Sequence, residues 1–250
     1  MLNILRSKFL LIATFSLLIF LYISNFKLPH VFAQLIPSPQ IESLDANLNN
    51  SSVYDFVESG FNYTQQLYGQ PRIPVKKVNL RLHTTPLTSL DNASQGEFTI
   101  YLSRKPSEYS FHGQLAHEIA HLLNAQLLDC YAEGLASVFA EKMLNSQNLD
   151  WSKWETYYQQ GNEPFYGSTY SMMKEVAETA GSANMRRLLD FAVYNDGSKQ
   201  QLMQIDINGW LSSMSDYTNT EVKKVINQHI AQVKIAVASK NNKFSCIKPR

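Results

Sequence analysis

The feature that most constrains this chain is the run H-E-I-A-H at residues 117–121. His117 and His121 are four residues apart, so on an α-helix their side chains project from one face and can reach a single metal ion. Glu118 lies about 100° further round the helix, where its carboxylate can contact a water on that metal without being a ligand itself. The spacing therefore predicts a helix, over residues 110–126, with two metal ligands and a general base.

A second segment, Y-A-E-G-L-A-S at residues 131–137, follows after a short gap. Together the two motifs resemble the gluzincin metallopeptidases, most closely the peptidase MA-like group, in which the Glu of an E-G-[LF]-A segment completes the metal site. Zinc aminopeptidases carry a similar E-G-F-A-S-Y-F stretch, where this chain reads E-G-L-A-S-V-F. The resemblance, which covers residues 51–194, implies a zincin-like fold and one catalytic Zn²⁺ held by His117, His121 and Glu133, with Glu118 as general base.

The gap between the motifs is shorter than in zinc aminopeptidases, because only residues 122–132 separate His121 from Glu133. The short gap fits if the first helix continues about one turn past His121, the chain reverses near residues 128–131, and Glu133 returns in the opening turn of the next helix. Asp129 is the rival third ligand, but it lies in the reversal itself. We expect it to be too far from the histidine pair.

Tyr166 is the candidate for stabilising a transition state. It begins the run Y-G-S-T-Y-S-M-M, which resembles the Y-x-x-x-Y-S-F-V segment of the peptidase MA-like group. In zinc aminopeptidases, the tyrosine of a Y-x-K-G-A-S segment donates a hydrogen bond to the developing oxyanion; here Ser168 and Thr169 replace its Lys and Gly. For Tyr166 both roles stay open, oxyanion donor and packing residue, whereas we expect Tyr170 to pack in the core.

The periodicity of apolar residues predicts an α+β fold with a small early sheet and a mostly helical C-terminal half. Alternating apolar residues predict strands at residues 78–82 and 98–102, joined by a polar loop through Asp91 and Asn92. By the resemblance, residues 98–103 would lie beside the active-site helix and pair with an extended peptide. Besides the metal-site helix, helices are expected at residues 52–68, 131–145, 168–180, 183–194 and 220–240.

The first 33 residues have the properties of a targeting segment. Arg6 and Lys8 precede an apolar run at residues 9–23, which is short for a hydrocarbon core of ~30 Å. With a cut after Ala33, residues 1–33 are predicted to be a signal peptide; uncleaved, they would be a membrane anchor, the sole membrane contact we expect. Either way, the rest of the chain is predicted to be exported: secreted, periplasmic or in the cell envelope.

The remainder divides into a predicted linker at residues 34–50, a metallopeptidase domain at residues 51–240 and a basic tail at residues 241–250. In an oxidising compartment Cys130 and Cys246 could form a disulfide, and the sequence leaves a bridge and two unpaired thiols equally open. The balance of 22 basic and 21 acidic residues gives no electrostatic reason to expect nucleic acid as a partner.

The function predicted from the sequence is zinc-dependent hydrolysis of a peptide or protein substrate. The aminopeptidase segment G-A-M-E-N, which would bind a free amine, does not occur before residue 117, so an endopeptidase is favoured. The alternative is a zincin-like binding or assembly module of the cell envelope, without turnover. Zinc content of the purified protein is the measurement that first separates the two.

Overall fold

A four-stranded sheet occupies the early part of the chain in the computed structural model, which describes residues 38–195, 202–240 and 244–250. Its strands are β1 (Gln40–Ser43), β2 (Lys77–Leu82), β3 (Leu87–Asn92) and β4 (Glu97–Leu102). Their spatial order is β1-β2-β4-β3. The first three in that order run parallel, and β3 runs antiparallel to β4 at the edge. The strands predicted at residues 78–82 and 98–102 are confirmed.

Two strands lie where the sequence predicts irregular chain. Strand β1 falls inside the predicted linker, residues 34–50, and pairs with β2. Strand β3 occupies the predicted polar loop and includes Asp91 and Asn92. Because its residues are mostly polar, this strand shows no alternating hydrophobic pattern in the sequence. An edge strand pairs with only one neighbour, so most of its side chains can remain exposed to solvent.

The position of β3 corrects the peptide-pairing role predicted for residues 98–103. Strand β4 is hydrogen-bonded to β2 on one side and to β3 on the other, so its backbone groups are already paired. The edge strand on the metal-site side is β3, since the Thr88 side chain donates to the carbonyl oxygen of Glu118 at 2.7 Å. The predicted position of residues 98–103 beside the metal-site helix is confirmed, whereas their predicted pairing with a peptide is wrong.

The helices make up most of the rest of the described chain. They are α1 (Ser51–Tyr68), α2 (Phe111–His121), α3 (Cys130–Ser146), α4 (Ser152–Gln159), α5 (Pro164–Met185), α6 (Ile207–Ser212) and α7 (Asp216–Ser239). Helix α2 packs against α3 and also contacts β3 and β4, while α5 packs on α3 and α7. The α+β architecture with a helical C-terminal half is thus as predicted.

One predicted helix ends earlier than expected, and another does not form. The helix predicted to reach residue 126 ends at His121, because the following chain turns to pair with β6 (Met203–Ile205), where Leu128 N donates to Met203 O. The helix predicted at residues 183–194 does not form; α5 ends at Met185, and Ala192–Tyr194 is strand β5, antiparallel to β6. The backbone already departs from helical geometry at Gly181, with φ at +74°.

The core lies between the sheet and the helices that follow it. Phe98, Ile100 and Leu102 of β4 are buried, as are Leu115 and Ile119 of α2. Burying a large apolar side chain is worth roughly 1.5–3 kcal/mol. The helix that carries His117 and His121 is therefore held in place by the hydrophobic core.

The segment at residues 244–250 is attached to the start of α3. Cys130 and Cys246 form a disulfide with their Cα atoms 5.2 Å apart, which decides the alternative left open by the sequence. Cys130 N donates to Ser245 O, and the Tyr131 hydroxyl donates to Ile247 O. This part of the predicted tail is thus integrated into the fold.

The predicted signal peptide or anchor at residues 1–33 lies outside the described residues. Within the described ranges, none of the helices combines the length and the hydropathy needed to cross a bilayer.

Candidate metal centre

Helices α2 and α3 bring three metal-ligating side chains to one point. His117 Nε2 lies 3.2 Å from Glu133 Oε2, and His121 Nε2 lies 3.7 Å from the same oxygen. The two Nε2 atoms are 3.2 Å apart. The group of His117, His121 and Glu133 could therefore hold one metal ion, with all three donor atoms within 4.8 Å of one another.

Glu133 reaches the histidines because α3 begins where it does. Asp129 caps the helix: its Oδ1 accepts from Ala132 N at 2.8 Å, and its Oδ2 accepts from Ile205 N. Burial raises the pKa of Asp129 to about 6, although the backbone N–H donors oppose that shift. Asp129, the rival third ligand, thus uses its carboxylate to start the helix, and Glu133 follows one turn later.

Gly134, the residue after Glu133, allows α3 to lie close to α5. A Cβ at position 134 would collide with the backbone carbonyl of Thr169 and with the Met173 side chain. Close packing therefore explains why a glycine occupies this position of the E-G-L-A segment. A larger residue would push apart the helices that carry Glu133 and Tyr166.

Ser137 orients one of the imidazoles. Its hydroxyl donates to Glu133 O at 3.1 Å and lies 3.3 Å from His117 Nδ1. When Nε2 of His117 binds a metal, Nδ1 carries the ring proton, and the Ser137 hydroxyl is placed to accept a hydrogen bond from it while donating to the carbonyl oxygen. Motif reasoning missed Ser137, although its place four residues after Glu133 puts the two on one helix face.

Glu118 lies beside the metal centre but is not part of the ligand group. Its side chain is buried, and Thr88 Oγ1 on β3 lies 3.0 Å from its Oε2. Burial raises the pKa of Glu118 above its usual value, and the two histidines only partly offset this. Thr88 was missed as well; it lies in a segment that the sequence places in a loop, so no local pattern points to it.

The charges of the ligand group balance one another. Burial disfavours the carboxylate, but the imidazoles of His121 and His117 hold the pKa of Glu133 well below its usual range. Burial likewise opposes the imidazolium form of His121, yet the attraction of Glu133 raises its pKa to about 9. A buried carboxylate facing two imidazole nitrogens needs a positive charge between them, either a proton or a cation.

The donor set fits zinc. Catalytic zinc takes three protein ligands from His, Glu, Asp or Cys and keeps one position open. With bonds of roughly 2.1 Å, tetrahedral ligands lie about 3.4 Å apart, and the donor separations here are 3.2, 3.2 and 3.7 Å. Two imidazoles, one carboxylate and the Ser137 contact form the combination expected of such a site.

Tyr166, on α5, packs against the metal centre. Its ring lies edge-to-face on the His117 ring, with centroids 5.8 Å apart. Burial, and next the nearby carboxylates Glu133 and Glu118, raise the pKa of Tyr166, so its hydroxyl keeps its proton and can act as a donor at neutral pH. Tyr170 is buried and its hydroxyl accepts from Trp151 Nε1 and Lys174 Nζ, the packing role expected from the sequence.

A cleft of ≈260 Å³ starts at His117 and Glu118. It continues along α4, whose aromatic side chains form much of its wall. Pro86, just before β3, and Ser103, just after β4, contribute to its lining. The candidate metal centre is therefore open to solvent on the side of α4.

Comparisons with protein-family models, with curated proteins and with solved structures find no match for this chain.

Proposed function

We propose that this protein is an exported zinc-dependent metallopeptidase with a zincin-like fold. The observation that carries the proposal is the meeting of two imidazole nitrogens with a buried carboxylate, next to a second buried carboxylate that is not a ligand. This division of roles, three ligands and one base, is what hydrolysis at a metal centre requires. The cleft beside Glu118 provides access for a substrate.

The residues of the chain supply binding, proton transfer and charge stabilisation. When bound, Zn²⁺ polarises a carbonyl group and lowers the pKa of water towards ~7. Glu118 accepts the proton of the attacking water and delivers it to the leaving amine. A raised pKa suits this role, because the same carboxyl must take up a proton and then release it. Tyr166, whose ring contacts that of His117, is the residue we propose as the hydrogen-bond donor to the oxyanion.

Strand β3 is suited to hold an extended peptide. Among the described strands it pairs with β4 alone, so its other edge presents backbone donors and acceptors. An extended peptide can add to such an edge through main-chain hydrogen bonds. Thr88, on this strand, also contacts Glu118, so a peptide bound there would lie close to the base.

Export is supported by the disulfide between Cys130 and Cys246, since disulfides persist mainly in oxidising compartments. The signal peptide proposed at residues 1–33 would direct the chain there, and uncleaved it would anchor it in a membrane. A peptide or protein is the proposed substrate.

Zinc content and turnover of three proteins test the proposal. The wild-type chain should hold one zinc per molecule and hydrolyse peptides. His121→Ala should lose the metal, whereas Glu118→Gln should keep it and lose activity by about 10²- to 10⁴-fold. Full zinc occupancy in His121→Ala, or unchanged turnover in Glu118→Gln, would refute the assignment. Stoichiometric zinc in a wild-type protein that cleaves no peptide would favour the non-catalytic binding module.

A further inference from the structure

The cleft beside the metal centre has an aromatic wall. Six aromatic side chains line it: Tyr109, Trp151, Trp154, Tyr157, Tyr158 and Tyr166. We propose that this cleft is a specificity site that takes a large aromatic side chain of the substrate next to the scissile bond. The inference rests on the proposed peptidase function and adds to it the class of residue that is recognised.

The rings of the wall already pack on one another in the geometries that aromatic groups prefer. Trp151 and Trp154 are stacked, with centroids 6.1 Å apart and an angle of 20° between the ring planes. Tyr157 meets the Trp154 ring edge-on at 6.0 Å. Because the rings also line the cleft, an incoming aromatic ring would contact aromatic surface, and such ring pairs contribute beyond the area that they bury.

Gly113 brings this wall close to the reaction centre. It precedes His117 by four residues on α2, so the two share one face of the helix. A Cβ at position 113 would collide with the indole of Trp154, so the absence of a side chain is what lets the indole rest on the helix there. Gly113 and His117 are one helical turn apart, about 5.4 Å along the axis. A substrate whose backbone binds near His117 could therefore reach the Trp154 indole with one side chain.

The size and charge of the cleft favour one uncharged side chain. Its volume of ≈260 Å³ is below the roughly 300–1,000 Å³ of sites that enclose a whole small molecule. Among the charged lining residues, Arg104 and Glu163 form ion pairs with Glu108 and Lys240, which lie outside the lining. Two further charged residues line the cleft: Lys153, whose Nζ lies 5.0 Å from the centroid of the Tyr109 ring, and Glu118, the proposed base. The charges of Arg104 and Glu163 are compensated, and Lys153 lies over an aromatic ring, so aromatic surface makes up most of what a substrate side chain would meet.

The first test uses the full chain loaded with Zn²⁺ and two internally quenched peptides that differ only in having Phe or Ala beside the scissile bond. We expect kcat/KM to be about 10- to 100-fold higher for the Phe peptide. Trp154→Ala should lower this ratio about tenfold, while the control Tyr217→Ala, on the exposed surface of α7, should keep it. Equal cleavage of both peptides by the wild type would overturn the inference and leave the peptidase function intact.

A binding measurement separates the cleft from the chemistry. Calorimetry with zinc-loaded Glu118→Gln should show tighter binding of the Phe peptide than of the Ala peptide by roughly tenfold, and a second substitution, Trp154→Ala, should remove the difference. This binding preference, together with a zinc-loaded wild type that cleaves neither peptide, would support the aromatic site and refute the peptidase function. Should Trp154→Ala fail to fold, as judged by circular dichroism, Tyr157→Ala serves instead, because Tyr157 is 36% exposed. Equal affinities in Glu118→Gln would overturn the inference.

Discussion

Helices α3 and α4 both serve the proposed site, but they are built in opposite ways. Helix α3, which carries Glu133, is buried along most of its length, from Cys130 to Leu144. Helix α4, which carries much of the cleft wall, has no buried residue between Ser152 and Gln159. Glu133 is thus positioned by packing on several sides, whereas the cleft wall is held mainly by contacts between aromatic rings. Substitutions in α3 should change folding and metal binding, and those in α4 should change selectivity.

The largest expected effect is at the start of α3. Replacing both Cys130 and Cys246 by Ser removes a cross-link between residues 116 positions apart, which should lower the free energy of unfolding by about 4–5 kcal/mol. Zinc affinity should fall as well, since Glu133 lies one turn after Cys130. Urea unfolding and zinc titration of the oxidised wild type and the double variant measure both effects. An unchanged midpoint of unfolding would show that the packing of α3 does not depend on this cross-link.

Gly134→Ala tests the contact between α3 and α5. The added methyl group meets the Thr169 carbonyl, so we expect a loss of about 1–3 kcal/mol in the free energy of unfolding. Thermal unfolding of the metal-free and the zinc-loaded protein is the measurement. A variant as stable as the wild type would mean that the two helices can separate without cost.

Ser137→Ala should weaken metal binding more than it weakens the fold. The His117 Nδ1–H loses its acceptor, and losses of such outer partners lower metal affinity by roughly 10- to 100-fold. Zinc competition with a chromogenic chelator measures the change. The matched control is Ser146→Ala, which also removes a hydroxyl bonded to a backbone carbonyl of α3, but away from the metal centre. Equal zinc affinities in the two variants would contradict the role of Ser137.

The smallest effect is expected on α4. Thr156 is exposed, and Thr156→Ala should change the free energy of unfolding by less than about 0.5 kcal/mol and leave zinc content unaltered. Thermal unfolding and metal analysis of this variant check it. A large loss of stability would show that α4 is as firmly integrated as α3, which would remove the contrast between the two helices.

The sequence predicts those parts of the site that depend on local spacing. The convergence of His117, His121 and Glu133 follows from helix geometry plus a short reversal, and it is present in the structure. Thr88 could not be predicted, because its role depends on an edge strand whose polar sequence carries no strand signal. The cleft wall was missed for a similar reason: the rings of α4 acquire a function only through their position against Gly113, a contact between distant parts of the chain.

The boundaries of helices and strands also depend on contacts between distant parts of the chain, which the sequence does not show. The chain after His121 has a helical pattern, yet it forms hydrogen bonds to Met203, and this tertiary pairing outweighs local propensity. The strand at Gln40–Ser43 likewise forms by pairing with β2, and its own sequence does not predict it.

The attachment of residues 244–250 to the beginning of α3 also has a consequence for the order of folding. Cys130 and Ser245 meet only after a long loop has closed, and such non-local contacts form slowly. We therefore expect the first turn of α3 to gain these partners late in folding, and Glu133 to be fixed beside the histidines late as well. Under the proposed function, a newly made chain would then complete most of its folding before it could cleave neighbouring polypeptides.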